Sequence, residues 1–399
     1  MCELSIVKDF RQKLGSAPAD RMRDRRIRKL LTNVAIVALV SLGAAFVITR
    51  QSGAGYSAPS LERNSNSDMS DRNPRGAVIP DLASRAADEA EGYKLETGPL
   101  AVTEVSDIVL RDSKPNKDLH VRIFYPVATG KYPVIVFSHG AGGSQNCCDS
   151  LTRHWATYGY VTLQPTHDDS ATQRRAAGED NTRFLPAVRE ALKNPALWQS
   201  RPQDISFLLD SLPELQKRVA GLNGKIDFDR IGVGGHSMGS YTAEAIGGAV
   251  VDLPEHPGTN FSDPRAKAIL CLSPQGPNQF GLTAQSFARI SLPFLGITGS
   301  LDSLGPVASP EWHRIPFERS QPGDKYEVFI QGASHMSFIT DETLLASRSS
   351  QAAAILGYTN SASLAFWDAY LKQDPTAQKF LQSDKLESYS HGAVKLSRR

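Results

Sequence analysis

The sequence predicts an α/β fold, a mainly parallel central sheet with helices on both faces, preceded by a single N-terminal apolar span and a flexible tether. Three observations carry this. From about residue 100 onward, short β-branched apolar runs alternate with helical patterns, the ordering that makes parallel strands joined by crossover helices. One of those runs ends in a glycine-flanked serine that opens a helix. The chain of 399 residues is long enough for one large domain with appendages, and it shows no internal repeat.

Residues 1–29 form a basic segment, with Arg21, Arg23, Arg25, Arg26, Arg28 and Lys29 crowding its end. Residues 30–49 carry no charge and are apolar on every face. Twenty residues at about 1.5 Å each span about 30 Å, the hydrocarbon thickness of a bilayer. Positive flanks stay on the cytoplasmic side, so the reading is a single-pass signal anchor with the bulk of the chain outside the cytoplasm. A cleaved export signal, with small residues from Ser52 to Gly55 after it, and a buried core helix are the alternatives. Residues 50–95 are rich in Ser, Arg, Asp, Asn, Ala and Gly, too poor in large apolar groups to order themselves, and read as a disordered linker.

Residues 96–375 read as the catalytic domain and 376–399 as a polar C-terminal tail. The expected strands are Asp107–Leu110, Leu119–Tyr125, Val134–Ser138, Val161–Gln164, Arg230–Gly234, Ala268–Leu272, Phe294–Thr298 and Tyr326–Ile330. Helices are expected at Cys148–Tyr158, Pro202–Leu212, Tyr241–Val250, around Asp341–Leu356, and at Ser361–Leu371. The polar stretch Asp168–Ser200 reads as a solvated surface loop or an excursion near a site mouth.

Lys and Arg number 44 against 42 Asp and Glu, a formal charge of +2, so no overall field draws nucleic acid, and none is expected as a partner. Cys2, Cys147, Cys148 and Cys271 match no zinc spacing, and no metal is expected. A link from Cys147 or Cys148 to Cys271 and unpaired buried thiols are both open, because adjacent cysteines pair only under strain. Oligomeric state is not legible.

Around Ser237 the chain reads R-I-G-V-G-G-H-S-M-G-S-Y, a strand, then G-x-S-x-G, then a helix of small residues. A serine on so sharp a turn needs Gly235 and Gly239, since side chains there would collide with the neighbouring strand and helix. Its hydroxyl then stands at the positive end of a helix, where developing negative charge is favoured. The bland alternative is a serine capping a helix after a glycine turn. A nucleophilic hydroxyl needs a histidine to take its proton and a carboxylate to fix that imidazole. His335 follows the strand K-Y-E-V-F-I and the turn Q-G-A-S, and is the expected base. Asp302 follows P-F-L-G-I-T-G and is the expected acid, giving the chain order Ser, Asp, His. His139 and His236 sit on turns where structural roles are natural, and His313 follows no strand end that would aim it at the site. Two backbone amides should receive an oxyanion: that of Met238, and that of Ala141 in the H-G-A-G-G turn.

P-V-I-V-F-S-H-G-A-G-G, Y-G-Y-V-T-L-Q-P, W-Q-S-R-P-Q-D-I-S-F-L-L-D, G-H-S-M-G, I-T-G-S-L-D and G-A-S-H-M together make residues 99–373 resemble the α/β-hydrolase superfamily. The likeness is to its dienelactone hydrolase, platelet-activating-factor acetylhydrolase and polyester hydrolase-like branch. What the resemblance implies is cofactor-free hydrolysis of a small-molecule or lipid-like carboxylic ester through an acyl-enzyme. The acid on the later strand is similar to the polyester and dienelactone enzymes. A lipase, acetylhydrolase or thioesterase on the same triad, or a non-catalytic binding module on this frame, are the alternatives.

Overall fold

The computed structural model describes residues 92–178, 184–305, 307–339 and 349–399. The basic segment, the apolar span 30–49 and the linker as far as residue 91 lie outside the described residues, and among the described ones no helix is long and apolar enough to cross a membrane.

Among the described residues the strands are β1 (Val102–Asp112), β2 (Lys117–Pro126), β3 (Tyr132–Ser138), β4 (Val161–Thr166), β5 (Ile226–His236), β6 (Val250–Leu253), β7 (His256–Asn260), β8 (Ala266–Leu272), β9 (Phe294–Leu301), β10 (Lys325–Ser334) and β11 (Val394–Arg398). Nine form one sheet in the order β1-β2-β4-β3-β5-β8-β9-β10-β11, while β6 and β7 make a separate hairpin. The six central strands from β4 to β10 run parallel. The edges are antiparallel, β1 on β2, β2 on β4, and β11 on β10. A mainly parallel sheet flanked by helices is thus the fold.

Alternation along the central strands builds two cores. Val134 and Val136 of β3, with Ile231 and Val233 of β5, face one buried cluster, and Ile135 and Phe137 face the other. The first cluster is closed by α2 (Pro195–Asp210) and α3 (Met238–Ile246), the second by α1 (Asp149–Thr157) and α4 (Ser350–Leu371). On the second face, Gly232 lets the Trp367 ring of α4 lie against the sheet; a Cβ there would lie 2.5 Å from the ring. No disulfide joins the described cysteines. Cys271 packs in the first cluster and Cys148 in the second, so the sheet stands between them, and of the two alternatives the structure has the unpaired thiols.

Several boundaries differ from the sequence reading. Tyr93, inside the expected linker, is buried against Phe380 and donates from its hydroxyl to Asp368 at 2.9 Å, so the folded region includes it. Residues 376–399 are no loose tail. They hold most of α5 (Pro375–Leu381), all of α6 (Lys385–Tyr389), and the edge strand β11. The expected helix ending at Val250 stops at Ile246, where Gly247 and Gly248, the latter at φ 111, turn the chain into the hairpin. The two helices expected near the C-terminus are one, Ser350–Leu371, and the start of the first falls outside the described residues.

Candidate active site

The carboxyl ends of β3, β5, β8, β9 and β10 meet along one edge of the sheet, where open α/β folds present their functional loops. Ser237 lies between β5 and α3 with φ 55 and ψ −119, a strained conformation held from both sides. Its N–H donates to Leu272 O at 2.9 Å. Ser240 Oγ then ties Gly235 O at 3.0 Å and Leu272 O at 2.7 Å. A Cβ on Gly235 would fall on the carbonyl of Gly239, and one on Gly239 would fall on the carbonyl of Ser138. Gly235 therefore makes room for the turn itself and Gly239 for the end of β3.

Asp302 and His335 come together from the ends of β9 and β10. Asp302 is fully buried, and its Oδ1 accepts from His335 Nδ1 at 2.9 Å. Ser273 Oγ at 2.7 Å and Thr298 Oγ1 at 2.8 Å donate to its Oδ2. Burial alone would raise this carboxyl's pKa, but the imidazoles of His313 and His335 and their hydrogen bonding bring it well below the usual range. With Nδ1–H given to Asp302, Nε2 of His335 carries the lone pair.

His236, next to Ser237, packs its ring 4.8 Å from that of His335 and donates from Nε2 to His335 O at 2.9 Å. It thus ties the serine's turn to the loop of the imidazole. Among the described residues no hydrogen bond runs directly between Ser237 Oγ and His335.

His313 is the histidine that the sequence reading set aside and the fold brings in. A short helical turn at Trp312–Arg314 carries it, Nδ1 donates to Pro274 O at 2.6 Å, and Nε2 lies 3.2 Å from Asp302 Oδ1. Nothing in its neighbourhood along the chain marks it, because its approach comes from a loop beyond β9. Asp302, His313 and His335 are close enough for a cation, their donor atoms lying within 4.8 Å of one another. The 2.9 Å bond from His335 Nδ1 to Asp302 needs a proton on that nitrogen, which a metal-ligating nitrogen would lack.

The turn after β3 faces the serine: a Cβ on Gly140 would lie 3.5 Å from Ser237 Cβ. Gly143 N–H closes it onto Gly140 O at 3.0 Å, and Gly142 sits at φ 72, the position in a type II turn that suits glycine. Gly142 N–H is taken by Asp169 Oδ2 at 2.8 Å. Ala141 N–H, at the second position of the turn, has no acceptor among the described residues. Met238 opens α3, where a helix leaves its first amides unpaired.

A buried ion pair that sequence reasoning missed holds this turn. Arg201 of α2 is fully buried, and its Nε and Nη2 grip the two oxygens of Asp169 at 3.0 and 2.8 Å. Nη1 donates to His139 O at 2.7 Å and Nη2 to Gly140 O at 3.3 Å. Despite burial, which raises it, Asp169 is held well below the usual carboxylate range by Arg201. The stretch Asp168–Ser200 is thus not merely a solvated loop. Its first residues and its last helix brace the turn from within. The one trace in the sequence is an Arg set between the apolar stretches A-L-W and I-S-F-L-L of that helix, which marks a charge to be compensated but not its partner.

The chlorophyllase family profile matches residues 93–254, a span that holds the Ala141 turn and the Ser237 elbow and ends before Asp302. A Streptomyces coelicolor protein described as "Bis(hydroxyethyl) terephthalate hydrolase" is 26% identical over 228 residues, 56% of this chain and 57% of that protein. A Schizosaccharomyces pombe protein described as "Putative phospholipase A2" is 45% identical over 70 residues, 18% of this chain. The chain spans 57% and 14% of the lengths of these two curated relatives. These matches and the sheet order fit an α/β-hydrolase. They fit equally the dienelactone hydrolase and acetylhydrolase-like branch that the chain's motifs resemble.

Proposed function

We propose that the protein is a serine hydrolase that cleaves carboxylic esters through an acyl-enzyme, with Ser237 as nucleophile, His335 as general base and Asp302 as the orienting acid. The observation that carries this reading is the 2.9 Å bond from His335 Nδ1 to the buried Asp302, beside a serine held at φ 55 on a glycine-flanked elbow. In this reading the Ser237 side chain turns so that Oγ meets the Nε2 lone pair. The imidazole takes the hydroxyl proton as Oγ attacks the ester carbonyl. The carbonyl electrons move onto oxygen, which the amides of Met238 and Ala141 receive. Collapse expels the alcohol, protonated by His335. Water, deprotonated by the same imidazole, then releases the acid. No cofactor is needed in any step.

Apolar side chains flank the acid and the base. Leu301 is 62% exposed and Met336 48% exposed, and the pairing of Leu301 with Ser334 puts both on one rim. This favours a substrate with an apolar acyl or alcohol part, small or lipid-like. Ser237→Ala should abolish turnover of short p-nitrophenyl esters and labelling by a fluorophosphonate while leaving thermal unfolding unchanged. Turnover retained by that variant would refute the assignment. Residues 30–49 are the proposed membrane anchor, and residues 1–29 the cytoplasmic segment; the chain should stay in the pellet after carbonate washing, and release of a shortened soluble form would instead mean cleavage.

A further inference from the structure

Beyond the catalytic groups, the turn that carries Ala141 runs on into two adjacent cysteines. Cys147 N–H donates to Ser144 O at 2.9 Å, and Cys148 caps helix α1 in a left-handed conformation at φ 59. The two sulfurs lie 3.1 Å apart, roughly 1 Å beyond the S–S bond length of about 2.05 Å. Cys147 is half-buried and reachable from solvent, whereas Cys148 is fully buried. The Cys148 thiol reaches the far side of the site as well, donating to Phe338 O at 3.5 Å, the last residue of the short helix His335–Phe338.

We propose that Cys147 and Cys148 are a site of reversible oxidation to a vicinal disulfide that changes the setting of the loop carrying His335. The pairing needs no rearrangement of the fold, because the sulfurs already face each other. Adjacent Cα atoms are about 3.8 Å apart, below the usual disulfide range of about 4.4–6.8 Å. Such a bond is strained, so it is readily reduced again, the property of regulatory rather than structural disulfides. The chemistry is thiol–disulfide exchange with a small-molecule disulfide. The Cys147 thiolate attacks one sulfur of that disulfide and expels the first thiol. The Cys148 thiolate then attacks Cys147 Sγ and expels the second. Two protein thiols lose two electrons and two protons in all, and one reagent disulfide becomes two thiols. Cys148 Sγ then has no hydrogen to give to Phe338 O, and it is drawn toward Cys147. The effect on turnover rests on the reading of Ser237 and His335 above; formation of the bond does not.

The test uses the full chain, purified reduced and equilibrated with glutathione at graded ratios of disulfide to thiol. Two of its four thiols should disappear together, peptide mapping should join residue 147 to 148, and dithiothreitol should restore both. Backbone amides of residues 335–339 should exchange hydrogen several-fold faster in the oxidised form, and kcat toward a p-nitrophenyl ester should fall several-fold. Cys147→Ser should keep the reduced protein's turnover and lose the response to redox ratio. Four thiols at every ratio, a bond to Cys2 or Cys271, or identical exchange in the two forms would overturn the proposal. If the bond forms and exchange changes but neither form hydrolyses esters, the Ser237 assignment fails and this one stands.

Discussion

Arg201→Met tests how the proposed oxyanion turn is held. The substitution keeps much of the side-chain volume and removes the guanidinium. Asp169, 1% exposed, would keep its bond from Gly142 N–H but lose both contacts from Arg201 at 2.8 and 3.0 Å. Leaving one member of a buried pair uncompensated costs about 3–5 kcal/mol, far more than the net worth of ordinary hydrogen bonds at about 1 kcal/mol each. The carbonyl of His139 loses the Arg201 donor and that of Gly140 keeps only Gly143 N–H and the His139 imidazole, so the segment presenting Ala141 N–H is held less firmly. Loss of one well-aimed oxyanion donor reduces kcat by roughly 10²- to 10³-fold, which bounds the expected fall. Chemical denaturation gives the stability change, and ester turnover per fluorophosphonate-titrated site gives kcat free of misfolded protein. The double variant Arg201→Met with Asp169→Leu separates the two effects. With no orphan charge it should regain most of the stability, yet it should not regain kcat. An Arg201→Met protein that unfolds like the wild type, or a double variant with restored turnover, would refute the reasoning.

Three further expectations concern Asp302 and His236. Asp302→Asn keeps the shape of the proposed acid but offers an amide to His335, and kcat should fall by roughly 10³- to 10⁴-fold with unchanged folding, as happens when a triad carboxylate becomes an amide; a fall under tenfold would remove Asp302 from the proposed triad. Because Asp302 stays ionised well below its ordinary range, the acid limb of the rate profile should not trace its titration. His236, wholly buried beside His335, Asp302 and His313, is pushed down to about 3, chiefly by burial. Its neutral form contributes stability that is complete above the unfolded value of about 6.5 and is lost as pH falls toward 3. Between pH 6.5 and 4.5 that loss is roughly 2–3 kcal/mol, at about 1.4 per pH unit. His236→Gln should therefore show a shallower decline in urea stability over that interval, and parallel declines would show that another group sets the slope.

What was legible in the sequence is local. All eight expected strands lie within observed ones, because apolar β-branched runs bounded by glycine and polar residues carry their own period. The elbow was legible for the same reason: strand, tight turn and helix follow one another within a dozen residues, and a side chain at Gly235 would meet the backbone of Gly239 four residues on. Asp302 and His335 could be chosen because each follows a parallel strand, and such strands all end on one edge. The edge strand β11 escaped because Val394–Arg398 alternates apolar and polar residues over only five positions, in a stretch whose composition reads as polar tail. It pairs antiparallel with β10, so no crossover helix announces it.

The groups that hold the site in shape were not legible, and the reason is physical. Arg201 and Asp169 lie 32 positions apart, and neither belongs to a motif that requires the other. Buried polar groups reveal themselves only through their partners, which the chain brings together after folding. His313 makes the same point more sharply. Its Nε2 comes within 3.2 Å of Asp302 only because the loop beyond β9 turns back over the acid and Pro274 O fixes the other ring nitrogen. A residue that supplies chemistry sits at a strand end, where the fold class predicts it. A residue that aims the chemistry can come from any element that packs there, so its position follows from tertiary packing. For that reason the proposed nucleophile, acid and base are open to a sequence reading, whereas the Arg201–Asp169 clamp becomes visible only when the sheet has been assembled.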